Sequence, residues 1–173
     1  MSFLKLWSVV LLTVSPNFVH AAASDSIPHD FTVVAHFGSG SIDPGDSAAA
    51  WDYTLRADGK ATLKVFRFPG GVSHTKRSSF SVPQNELARM VRVIAHEDFF
   101  SLSKDMLGEV TDSASYDLDI TAGGKHRKVR VYAPFDVHDK KSLRRFRRVW
   151  EAVFRPIPQQ DGGDAIHHSG VNS

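Results

Sequence analysis

The chain carries 21 Lys and Arg against 19 Asp and Glu in 173 residues, a formal charge of +2, and no cysteine at all. The missing thiols exclude disulfides, thiolate metal sites and cysteine nucleophiles. The charge is unevenly spread: residues 24–124 hold 9 Lys and Arg against 14 Asp and Glu, residues 125–155 hold 11 against 3. A chain basic throughout would point to nucleic acid; a bipolar one points to self-complementary halves or one anion-facing surface, so no nucleic-acid partner is expected.

Residues 1–23 read as a signal peptide, with Lys5 ahead of an apolar stretch from Leu6 to Val14, a Ser15-Pro16 break, and the small residues of Val19-His20-Ala21 and Ala22-Ala23. The competing reading is a membrane anchor, but the apolar stretch is far shorter than the roughly 20 residues that span a bilayer. A periplasmic or secreted protein with no membrane span is therefore expected. Residues 24–156 are taken as one α+β domain, a length that supports a single core, and residues 157–173, rich in Gln, Asp, Gly, His and Ser, as a disordered tail.

Within the domain, Phe31 to Phe37 reads as a first strand, rich in β-branched and aromatic residues. Trp51 to Phe68 is a hairpin, because Trp51, Tyr53 and Leu55 alternate with polar residues and so do Ala61, Leu63 and Val65 after an Ala57-Asp58-Gly59 turn. That turn sets Leu55 opposite Ala61, Tyr53 opposite Leu63 and Trp51 opposite Val65. Pro69 to Ser79 is assigned to a loop; its glycines could face an anion, but there is no strand-to-helix junction and no Gly-Lys-Ser/Thr.

A helix is expected from near Pro83, with Ser81 and Gln84 spaced as a capping box and Leu87, Met90, Val91 and Ile94 as its buried stripe. His96 beside Glu97 and Asp98 suggests acid–base chemistry, yet adjacent helical side chains diverge by about 100°, so a charge near the helix end is the reading taken. Phe99, Phe100 and Leu102 follow as core.

A second hairpin turns at Gly123-Gly124, which pairs Leu118 with Val129 and Tyr116 with Val131 and brings Asp117 to Arg130 and Asp119 to Lys128. Those ion pairs disfavour Asp117 and Asp119 as catalytic carboxylates. Asp136-Val137-His138-Asp139 resembles a fragment of a metal site, but without a second cluster Asp139 is better read as the cap of the last helix. In that helix Leu143, Phe146, Val149, Trp150, Val153 and Phe154 share one face and Lys141, Arg144, Arg145 and Arg148 the other. These four cations are the candidate binding residues; a solvated face is the bland alternative. No catalytic residue, cofactor or metal is assigned.

Tyr53-x-Leu55 and Tyr116-x-Leu118 each open a hairpin with a Gly-Lys turn and lead to a helix, giving ββα twice. With Asp58-Gly59, Phe99-Phe100-x-Leu102 and Asp112, this pattern over residues 31–132 resembles a loosely defined family of small exported bacterial domains of unknown function. The resemblance implies no activity and no site. The fold expected from the residues is a two-layer α+β domain, an antiparallel sheet of about five strands with two helices on one face. The leading function is a non-enzymatic module that binds or inhibits a protein of the cell envelope or outside the cell. Attachment to an anionic polymer or surface through the basic helix, and a hydrolase with unassigned Asp and His residues, are the alternatives.

Overall fold

The computed structural model describes residues 26–40 and 50–158, so the expected signal peptide and most of the expected tail lie outside the described residues. The chain is α+β: strands β1 (Thr32–Gly38), β2 (Ala50–Arg56), β3 (Lys60–Arg67) and β4 (His74–Ser81) precede helix α1 (Gln84–His96). Strands β5 (Asp105–Leu107), β6 (Ser115–Ala122) and β7 (Lys125–Tyr132) then precede helix α2 (Lys140–Phe154). The sheet has seven strands in the order β4-β3-β2-β1-β6-β7-β5, so the expected count of about five and the ββα-ββα layout are corrected. All neighbours are antiparallel except β5 and β7, which run parallel.

The two added strands have identifiable causes. β4 occupies most of the stretch assigned to a loop; it is largely exposed and polar, with Phe80, its single apolar residue, half-buried and stacked on Tyr53. Its order comes from the backbone ladder to β3, which needs no side-chain pattern. β5 is only three residues long.

Both hairpins form in the expected register, with Trp51, Tyr53 and Leu55 opposite Val65, Leu63 and Ala61, and Tyr116 and Leu118 opposite Val131 and Val129. β1 lies between them, paired to β2 on one side and β6 on the other. One expected ion pair forms, Arg130 Nε to Asp117 at 2.9 Å. The other does not: Asp119 of β6 lies opposite Lys128 of β7 in the ladder, but bonds instead to His126, also of β7, at 2.7 Å.

Alternate residues of β1, β2, β3, β6 and β7 are buried and join Leu87, Met90 and Ile94 of α1 and the apolar face of α2 in one core cluster, while the residues between them are half-buried or exposed. Apolar burial on this scale, at about 25 cal/mol per Å², is the main force holding the layers together. Its aromatic centre is Trp150, whose ring lies 5.3 Å from Trp51, 5.1 Å from Tyr116 and 4.5 Å from Phe154. Packing continues to Ile157, the first residue of the range assigned to the tail, which is buried.

The helix termini separate one sequence expectation from another. Asp139 caps α2, its carboxylate accepting from Ser142 N at 3.0 Å, and this holds its pKa below the usual aspartate value. Ser81 does not cap α1. It ends β4, and α1 starts on Pro83, whose carbonyl accepts from Glu86 N and Leu87 N. Among the described residues no helix is long and apolar enough to cross a membrane.

Candidate functional site

α1 and α2 pack against each other, with the C-terminus of α1 beside the middle of α2 and Arg89 near the C-terminal end of α2, so the helices run antiparallel. The outward rims of the two helices leave a cleft of about 550 Å³ between them. From α1 it is lined by Arg89, Arg92 and His96, spaced i, i+3, i+7 along one stripe; from α2 by Arg148, Glu151 and Arg155, with the same spacing. Four arginines and a histidine thus converge against two carboxylates, Glu97 and Glu151.

Glu97 is the fixed point of this cleft. Its side chain is only 7% exposed, and Arg148 Nη1 donates to its carboxylate at 3.0 Å while His96 Nδ1 lies 3.2 Å away. Burial pushes its pKa up, but the bonds from Arg148 and His96 outweigh that, so it is held below the ordinary glutamate value and stays ionised at neutral pH. A buried carboxylate left without these partners would be costly, so Glu97 pins Arg148 to the cleft. Arg89 is likewise anchored, donating from Nε to Glu86 at 2.9 Å and from Nη2 to the carbonyl of Ala152 at 3.2 Å.

The four cations expected on the far face of α2 therefore part company. Arg148 enters the cleft wall. Arg145 is not a free surface charge: its side chain is 24% exposed, Nε donates to the carbonyl of Glu97 at 2.7 Å, and Nη2 donates to the carbonyl of Asp98 at 2.7 Å and to Ser101 Oγ. The cause is local. The carbonyl of Glu97, at the C-terminal cap of α1, has no partner inside the helix and carries partial negative charge, and the guanidinium fork reaches it together with the Asp98 carbonyl just beyond the helix. Lys141 and Arg144 are exposed and do not line the cleft.

Sequence reasoning missed Arg155 and the pairing of Arg89 and Arg92 with Arg148. The i, i+3, i+7 spacing of Arg89, Arg92 and His96 was a visible signal, but only helix pairing makes two basic stripes into one cleft. The other residues considered for chemistry have structural partners: Asp136 accepts from Glu109 N at 2.7 Å and Asp117 holds Arg130. Among the described residues no cluster of three or more His, Cys, Asp or Glu is placed to hold a metal. No family model matches the chain, and no curated protein matches it in sequence.

Proposed function

We propose that the protein is an exported, non-enzymatic binding module, and that it takes an acidic segment of a protein partner in the cleft between α1 and α2. The observation that carries this reading is the convergence of Arg89, Arg92, His96, Arg148 and Arg155 on one concave surface. Arginine forks suit carboxylates better than point charges do, and a concave site concentrates their field. The lining also contains Glu151, exposed on the rim. A mixed lining favours a partner whose charges match in register over a uniform polyanion, which Glu151 would repel.

The direct test compares two charge reversals. Arg92→Glu with Arg155→Glu alters the cleft, whereas Lys141→Glu with Arg144→Glu alters the outer face of α2. Capture of an acidic partner from a cell-envelope fraction should be lost with the first pair and kept with the second. Equal loss with both pairs, together with equal loss of retention on heparin, would replace this reading with attachment to an anionic polymer through the whole basic helix. Export rests on the Lys5 to Ala23 pattern. Intact mass of the protein recovered outside the cytoplasm should lack the first 21 to 23 residues, the segment ending in the small residues Ala21, Ala22 and Ala23; full-length chain in the inner membrane would overturn it.

A further inference from the structure

A second concave surface lies on the sheet, at the edge where β5 stops short of covering β7. β5 pairs only with Arg130, Val131 and Tyr132, leaving β7 from Lys125 to Val129 without a strand beyond it among the described residues. The direction of the exposed backbone follows from the hairpin. With a two-residue turn, Ala122 and Lys125 form the first hydrogen-bonded pair, so residues 127, 129 and 131 bond to β6 while 126, 128 and 130 direct their N–H and C=O away from it. Arg130 confirms the phase, since its N–H reaches outward to the carbonyl of Lys104 at 2.7 Å. The outward groups of His126 and Lys128 open instead onto a cleft of about 430 Å³, lined by Lys104, Asp105, His126, Arg127, Lys128 and Arg130.

We infer that this notch receives an extended, acidic peptide segment of a partner as an added strand beside β7, in the line that β5 leaves unfinished. Main-chain bonds to His126 and Lys128 supply the attachment, as in strand addition generally. Charge complementarity names the occupant. The lining holds four Lys or Arg and a histidine against the single Asp105. Of these cations, Lys104 and Lys128 form no ion pair among the described residues, while Arg130 and His126 are already held by Asp117 and Asp119. Side chains of an added strand alternate between faces. On the open face they would meet Lys128 and Arg130; on the helix side they would meet Arg127, fixed to the carbonyl of Phe100 at 2.9 Å, and the half-buried ring of Phe100 itself. The segment the notch fits therefore alternates acidic and apolar residues. Charges on a sheet edge can also serve only to repel other edges, and that reading predicts no binding.

This surface is independent of the cleft between the helices, and one titration separates them. Acetyl-Glu-Val-Glu-Val-Glu-amide added to the isotope-labelled full chain should shift the amide signals of His126 and Lys128 and slow their hydrogen exchange roughly tenfold. The same peptide N-methylated at every residue loses its main-chain N–H donors to β7 in either strand direction while keeping its charge, and should bind roughly tenfold more weakly, one decade in Kd. Lys104→Glu with Lys128→Glu, both exposed, should weaken binding as much while leaving the melting temperature unchanged. Equal binding of the methylated peptide would reduce the notch to an unspecific cationic patch. Shifts confined to Arg92, Arg148 and Arg155, or no binding at peptide concentrations of about 5 mM, the millimolar limit of weak association, would overturn the proposal.

Discussion

The hairpins on either side of β1 share one register logic but are anchored by different means. The β2–β3 turn is held within itself and by the strand that follows: Gly59 donates to the carbonyl of Arg56 at 2.9 Å, the Asp58 carboxylate accepts from Lys60 N at 3.0 Å, and the Gly59 carbonyl accepts from Val82 N at 2.8 Å. The β6–β7 turn is held by a side chain, since Asp30 accepts from Gly123 N at 2.8 Å and Gly124 N at 2.7 Å. At Gly59 a Cβ would meet the carbonyl oxygen of Val82 at 2.5 Å, whereas around Gly123 and Gly124 there is open space. One turn is sealed inside the structure; the other projects from it and is clasped from outside. The same residue type, in the same left-handed conformation, is thus required for two reasons in the first turn and for one in the second.

Trp150 tests whether the two halves form one core. It touches Trp51 from the first half and Tyr116 from the second, and is 4% exposed. Trp150→Ala should cost on the order of 3–5 kcal/mol, measured by denaturant unfolding, and the two halves should unfold in one transition. Two resolved transitions would mean that the hairpins are stable apart and the comparison is between separate units.

The turns themselves can be set against each other. Gly59→Ala adds a backbone collision to left-handed strain and should cost about 3 kcal/mol, while Gly124→Ala carries the strain alone at about 1 kcal/mol. Equal costs in thermal unfolding would show that the Val82 contact relaxes freely. The outside clasp also has a pH signature. The turn amides hold the Asp30 pKa below its ordinary 3.8, so its contribution is present above that value and is lost as pH falls beneath it. In Asp30→Asn the acid limb of stability should be shallower; Asp58, whose pKa the bonds from Lys60 lower as well, leaves the first turn an acid response of its own that this variant does not touch.

A further pair sharpens the difference between a charge that supports the fold and one that faces solvent. Arg145→Ala removes three hydrogen bonds at the end of α1 and should destabilise by about 1–3 kcal/mol. Arg144, exposed one residue earlier, should give a change within about 0.5 kcal/mol. The melting temperatures of the two alanine variants decide it.

How much of this was legible depended on whether a feature was local. Both hairpins could be read because turn chemistry and period-two burial, two independent signals, gave the same register at Trp51, Tyr53, Tyr116 and Leu118. The α2 stripe and its Asp139 cap were local too. β4 was not legible, since His74 to Ser81 has a single apolar residue, Phe80, and no alternation, and takes its conformation from β3. Arg145 resembled its neighbours on the helical wheel because its partners are the Glu97 and Asp98 carbonyls just past the end of α1, which no wheel displays. The cleft between the helices needed the same long-range information: its arginines are ordinary surface residues until α1 and α2 lie antiparallel.

The place of β1 bears on the timing of folding. Thr32 pairs on one side with Arg56 and on the other with Thr121, which comes after α1 and β5 in the chain. The first seam closes a short loop and the second a long one, and a long closure costs more entropy before any contact repays it. As the chain emerges from any pore in N-to-C order, β1 to β4 can assemble into a half-sheet whose apolar face awaits α2, and the edge of β1 stays open until β6 arrives. During that interval the open edge is where a second chain could pair wrongly. Substitutions that weaken the β1–β6 seam should therefore show first as loss of folding yield, before any change in the properties of the protein that does fold.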